Sequence, residues 1–232
     1  KLFREEKERP VLILIDQSQA MFFGSRVAFK SVLAAEVAAV LAWTALERGD
    51  RIGGIVFSDS RHREVRPRRN KHAVLRLLNE VNDFNHALRR ETVPVATTNY
   101  FAEALGNVRR VAKHGSTIFV ISDFHDLHEE ALVHFDLLAR HHDLIGLHIS
   151  DALERELPRP DLYTITDGTK RARINTADRH HRQQYHDTFS TRLNQVRSHF
   201  ARAKSPLLEL QTHEPVVESV VNRYNAYVSV AR

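Results

Sequence analysis

The residues able to do chemistry sit at the ends of aliphatic runs. Asp16 closes the run Val11-Leu12-Ile13-Leu14-Ile15, and Ser18 follows two positions later. Thr97 and Thr98 precede a helical stretch that opens at Asn99, and Asp123 closes the run Ser116 to Ser122. A carboxylate and a hydroxyl on one short loop, with hydroxyls and a second carboxylate on other loops, are hard oxygen donors. They suit Mg²⁺ or Mn²⁺. Metal-assisted hydrolysis needs a general base and several acidic ligands converging on one ion. Asp16 and Asp123 with hydroxyls between them are better equipped to bind than to hydrolyse.

Two other clusters compete for attention. His125 and His128, with Asp123 and Asp126, have the ligand types of a metallohydrolase, and a metal-dependent phosphoesterase or nuclease is the alternative reading. The bland account is a polar loop entering a helix. Arg61, Arg63, Arg66, Arg68, Arg69 and Lys71 form a basic run that could meet phosphates, but it lacks interleaved aromatics for base stacking. His141-His142 and His180-His181 lie among charged residues and read as solvated faces.

The elements that must position these groups follow from periodicity. The run at 11–16 is aliphatic throughout, as in a strand buried on both faces of a parallel sheet. Open α/β sheets place ligand sites just past the carboxyl ends of such strands. A helix is expected from about 26 to 48, with Gly49 as its C-cap, then a strand from Arg51 to Phe57. A short strand at 63–66 hairpins onto it. Asn70 caps a helix through Val81 whose apolar face is Leu75, Leu78 and Val81. Residues 84–97 read as irregular. Further helices are expected at 99–112 and 127–141, and strands at 116–121 and 144–149. Asp167-Gly168 marks a hairpin between 162–166 and 171–174. A long helix at 177–203 carries the stripe Tyr185, Phe189, Leu193, Val196 and Phe200. A strand at 207–210 and a helix at 214–224 complete the chain. Strands alternate with helices, so the fold class is α/β, a doubly wound, mostly parallel sheet with helices on both faces. The loop after the first strand has only Gly24, which excludes the spaced glycines of a dinucleotide site.

Composition sets the bounds. The 232 residues are 42% hydrophobic and 27% charged, enough for one α/β domain of generous size. Residues 1–10 read as a lead-in continuing from a missing N-terminal region. Residues 11–232 read as the domain, with the segment from about 161 to 232 as part of it. There is no cysteine, so neither a disulfide framework nor a thiolate site is available. The net charge of +5 and pI near 9.7 are modestly basic. No signal peptide is visible, and a cytoplasmic location is expected. Val27 to Leu46 is apolar enough to be tested as a membrane span, but Lys30 and Glu36 inside it favour a helix buried against the sheet.

Asp16-Gln17-Ser18-Gln19-Ala20 resembles the first segment of the metal-ion-dependent adhesion site of von Willebrand factor A-type domains, Asp-x-Ser-x-Ser, with the last serine replaced by Ala20. The wider chain is similar to the bacterial family known as domain of unknown function 58. Phe3-Arg4-Glu5-Glu6, Gly49-Asp50-Arg51-Ile52-Gly53, Phe57, Pro67-Arg68-Arg69, Ile121-Ser122-Asp123-Phe124 and Asp151 to Pro158 carry that resemblance. It implies a von Willebrand A-like fold and a metal site of Asp16, Ser18, Thr98 and Asp123, with Thr97 the alternative to Thr98. The ion would be Mg²⁺ or Mn²⁺, weakened by Ala20. It also implies a non-enzymatic partner of MoxR-type AAA+ ATPases in chaperone-like assembly or maturation of other proteins. Met21, Phe22 and Phe23, directly after the site, are expected to contact the partner.

Overall fold

The computed structural model describes residues 10–88, 99–166 and 171–222. Its centre is β1 (Val11–Asp16), every residue of which is buried. The six-stranded sheet runs β3-β2-β1-β4-β5-β8, with β2 at Ile52–Phe57, β3 at His62–Arg68, β4 at Thr117–Ser122, β5 at Asp143–Ser150 and β8 at Leu207–Gln211. All pairings are parallel except β2 with β3, so the edge strand is antiparallel as expected.

The alternation of β1 divides the core. Val11, Ile13 and Ile15 face α1 (Lys30–Glu47) and α2 (Lys71–Ala87). Leu12 and Leu14 face the layer of α3 (Tyr100–Val111), α4 (Glu129–His141) and α6 (Arg179–Arg202). A strand covered on both faces has no solvent side, which is why its sequence is continuous rather than alternating. Asn70 and Asn99 each accept a hydrogen bond from the backbone N–H three residues on, at 2.9 Å and 3.0 Å, and so start α2 and α3. Gly49 ends α1 with φ +82°, its N–H donating to the Leu46 carbonyl.

Several boundaries differ from the periodicity. The helix expected from residue 26 starts at Lys30, because the Ser25 N–H is held by Asp151 and the Lys30 N–H by the Phe23 carbonyl. The second helix continues past Val81 to Ala87, carried by Phe84. Its buried face is Ala73, Val74, Leu77, Val81 and Phe84; Leu75 is half exposed. A short helix, α5 (Ala152–Arg155), was not expected, although Asp151 and Glu154 close a capping box around it. Of the stripe on α6, Leu193, Val196 and Phe200 are buried, while Tyr185 is exposed. The hairpin of β6 (Leu162–Thr166) and β7 (Arg171–Asn175) forms its own two-stranded sheet. Its Asp167-Gly168 turn lies outside the described residues. No described helix is long and apolar enough to cross a membrane.

Candidate functional site

Asp16 ends β1 and Asp123 follows β4, the strand next to it, so parallel pairing puts both carboxylates at one sheet edge. The chain leaves β1 through a single 3-10 turn at Gln19–Met21. Two bonds hold this loop in place. The Ser18 N–H donates to Asp16 Oδ1 at 2.8 Å, and the Gln19 N–H donates to Asp59 Oδ2 at 2.5 Å. Gln17 is buried between α1 and α2, donating to the Ser31 carbonyl and accepting from Asn85. Behind Asp16, the Ser122 hydroxyl donates to Oδ2 at 2.5 Å and accepts from the Phe124 N–H. Phe124 turns the chain after Asp123 with φ 55°, a left-handed conformation that costs a bulky residue ~1–2 kcal/mol. Its ring is buried against Phe101 and Phe200, which holds the turn in that conformation.

Sequence reasoning missed the residue that dominates this edge. Lys30, in the first turn of α1, is 1% exposed. Its ammonium donates to Asp123 Oδ2 at 2.7 Å and to Glu154 Oε1 at 2.6 Å. Glu154 is fixed in turn by the Asp151 N–H on Oε2, and Asp151 by Ser25, Leu153 and Thr212. The available signal was a lone lysine at the start of an apolar helix, which argued only against a membrane span. Asp59 was also missed as the anchor of the first loop.

The electrostatics separate the two aspartates. Burial, with Asp123's charge added, pushes Asp16 up to about 7, against hydrogen bonds from Ser122 and Ser18 that lower it. Burial would raise Asp123 as well, but the Lys30 ammonium bonded to it and the His125 N–H hold it below the usual carboxylate range. For Lys30, burial alone would favour the neutral amine; Asp123 and Glu154 outweigh it and hold the ammonium charged.

Asp16, Ser18 and Asp123 are therefore brought to one edge as expected, while Thr97 and Thr98 lie outside the described residues. The expected metal shell is incomplete among the described residues. Asp16 and Asp123 each already accept hydrogen bonds on both oxygens, one of them from a cation, and Ala20 offers no hydroxyl. Among the described residues this donor set falls short of a near-octahedral oxygen shell for Mg²⁺. Met21 requires a correction: it is wholly buried beneath the loop against the α1 core and is not a surface contact. Phe22 is half-buried, its ring 4.7 Å from that of Phe29, and Phe23 is exposed. His125 and His128 are exposed, and His128 reaches Asp126 only at 3.9 Å. No group of three or more metal-ligating side chains is found among the described residues. Of the basic run, Arg61 lies over the Phe84 ring at 4.5 Å, Arg63, Arg66 and Arg68 are exposed on the edge strand β3, and Lys71 opens α2.

The family described as "Protein of unknown function DUF58" matches residues 1–195. The chain belongs to this family. Among solved structures, the conserved hypothetical protein BatB from Bacteroides thetaiotaomicron is 13% identical, with a TM-score of 0.51 over 97% of this chain and 100% of that one. A von Willebrand factor type A protein from Catenulispora acidiphila is 15% identical, with a TM-score of 0.41 over 62% of this chain and 33% of that one. The SpRpn10 VWA domain is 11% identical, with a TM-score of 0.46 over 93% and 94%. A search of curated proteins found no match. The DUF58 chain has an α/β fold, with the mostly parallel sheet that its strand pattern implies, and shares that fold with the BatB protein.

Proposed function

We propose that this DUF58 domain is a non-enzymatic protein-interaction module that docks its partner at the sheet edge of Asp16, Ser18 and Asp123. The observation that carries the proposal is an apolar rim on the loop beside those residues. Phe23, Val27 and Phe29 are 39%, 76% and 37% exposed, and the Phe22 ring packs against that of Phe29 in a tilted arrangement. Clustered exposed aromatics next to a charged edge are the composition of an interface core and its anchors. The proposed partner is a MoxR-type AAA+ ATPase or its client, in chaperone-like assembly or maturation in the cytoplasm. A divalent ion, Mg²⁺ or Mn²⁺, enters this reading only as a weakly held guest on Asp16 and Ser18 with Thr98.

The test is a pull-down of the cognate ATPase with Phe23→Ala and Phe29→Ala, alone and combined, and circular dichroism to establish folding. Each single variant is expected to weaken binding by ~1–2 kcal/mol, and the pair by more. Undiminished binding by the folded double variant would move the interface elsewhere, first to Tyr185 and Phe189 on α6. Phosphodiester turnover with Mg²⁺ or Mn²⁺, abolished by Asp16→Asn, would replace the reading by the hydrolytic one.

A further inference from the structure

We infer that Lys30 is the resident cation of this edge, and that its ammonium and a divalent ion are mutually exclusive at Asp123. The inference rests on the docking-edge reading for its biological weight, but its observations concern the site alone.

Lys30 occupies an expensive position. It is 1% exposed, so its charge has left water. It stands in the first turn of α1, where the helix dipole disfavours a cation. A lysine also gives up much rotamer freedom when fixed. Two carboxylates from distant parts of the chain converge on its nitrogen, Asp123 at 2.7 Å and Glu154 at 2.6 Å. Glu154 is itself oriented by the capping box of α5. A buried pair of this kind persists when its remaining acceptors are also satisfied, and here the second oxygen of each carboxylate is engaged, Asp123 by the His125 N–H and Glu154 by the Asp151 N–H.

Asp123 is also the carboxylate that a metal at this edge would need. Its Oδ1 accepts the His125 N–H and its Oδ2 the ammonium. An ion bridging Asp16 and Asp123 would have to displace the ammonium or share a carboxylate with it at close range, where two positive charges repel strongly. Ala20 offers a methyl group and no oxygen at the last serine position of the Asp-x-Ser-x-Ser pattern. The two features act together: the edge has one oxygen donor fewer than the adhesion-site pattern and holds a tethered positive charge. Docking at this edge therefore needs no ion on Asp123.

The test measures the ion by itself, with no partner present. Mn²⁺ binding to the full chain is followed by electron paramagnetic resonance and calorimetry for the wild type, Lys30→Met and Lys30→Met/Asp123→Asn. Lys30→Met is expected to bind Mn²⁺ about tenfold tighter or better, with its melting temperature rising on Mn²⁺ addition, and Asp123→Asn should abolish the gain. Equal affinity of wild type and folded Lys30→Met, or micromolar binding by the wild type, overturns the inference. If Lys30→Met fails to fold even with Mn²⁺, the wild type decides. Its Lys30 ammonium resonance in ¹⁵N-edited spectra should be unmoved by millimolar Mg²⁺; a saturable shift overturns the inference. A pull-down of the ATPase in chelator reports separately on docking, so loss of the docking reading and loss of the cation inference give different results.

Discussion

Ala20 is one methyl group standing where a hydroxyl would complete a row of oxygen donors. It is exposed on the 3-10 turn, so serine can be introduced without disturbing the core. Ala20→Ser is expected to raise Mg²⁺ affinity by roughly threefold to tenfold, ~1 kcal/mol, because it adds one direct ligand. The gain stays small as long as Lys30 remains on Asp123. Titration calorimetry checks this: Ala20→Ser should gain less than Lys30→Met, and the double variant should exceed both. No gain from the serine in either background would mean that position 20 does not face the ion.

At the scale of elements, the contact that seats α6 on the sheet is a ring against a glycine. A Cβ built on Gly146 of β5 would lie 2.4 Å from Cε1 and Cζ of Phe200. The Phe200 ring cannot retreat, because it is 1% exposed and packed on Phe135 and Phe124 at ring-centroid distances of 4.8 Å and 5.2 Å. Gly146→Ala is expected to destabilise by ~1–3 kcal/mol through overpacking. Phe200→Ala is expected to cost ~3–5 kcal/mol by leaving a cavity. Combined as Gly146→Ala/Phe200→Ala, the two changes should cost less than their sum, because loss of the ring makes room for the methyl. Urea unfolding of the set measures this, and strict additivity would show that the two residues are not in contact. The N-terminal half of α6 has no such seat. Tyr185 and Phe189 instead line a cavity of about 380 Å³ with His148, Glu154 and Asp123, the Tyr185 hydroxyl donating to the Leu153 carbonyl and the Phe189 ring meeting the His148 ring and the Arg155 guanidinium.

The whole molecule carries a pH dependence through His148. This residue of β5 pairs in register with Ser122 and Glu209, and its ring lies between Phe124 and Phe189. Burial lowers it to about 4, the neighbouring Asp123 and Glu209 raising it only in part and Lys30 and Arg197 opposing them. Its Nδ1 has no hydrogen-bond partner. Between about pH 4 and 6.5 the unfolded chain holds a proton on this imidazole and the folded chain does not. Its contribution to stability is therefore complete above pH 6.5 and is lost as pH falls through that window, by at most ~3 kcal/mol. His148→Phe should remove this slope. Asp16, raised to about 7, acts in the opposite direction over the same window in both chains, so from pH 7 to pH 4 the urea midpoint of the wild type should fall relative to that of the variant, and parallel curves would mean that His148 titrates normally in the fold.

Patterns of local order were legible in the chain itself. Five aliphatic residues ending in Asp16 required a strand covered on both faces, and hence a place in the middle of the sheet. Asn70, Asn99 and Gly49 marked helix ends because each completes a hydrogen-bond pattern within a few residues of itself. The pairing of Asp16 with Asp123 followed from both closing aliphatic runs, since parallel strands bring their carboxyl ends to one edge. What lay beyond local order had to await the fold. Periodicity chose Leu75 for the core of α2, but the direction from which the sheet approaches puts Val74 and Leu77 there instead. It could not tell that Met21 tucks under its loop while Phe23 stays out. Least of all could it pair Lys30 with Asp123, 93 residues away, and Glu154, 124 residues away. A lysine's long stem reaches many places, and its partner is set by where β4, α1 and α5 end relative to one another. That placement is a property of strand order and register, which no short window of sequence contains.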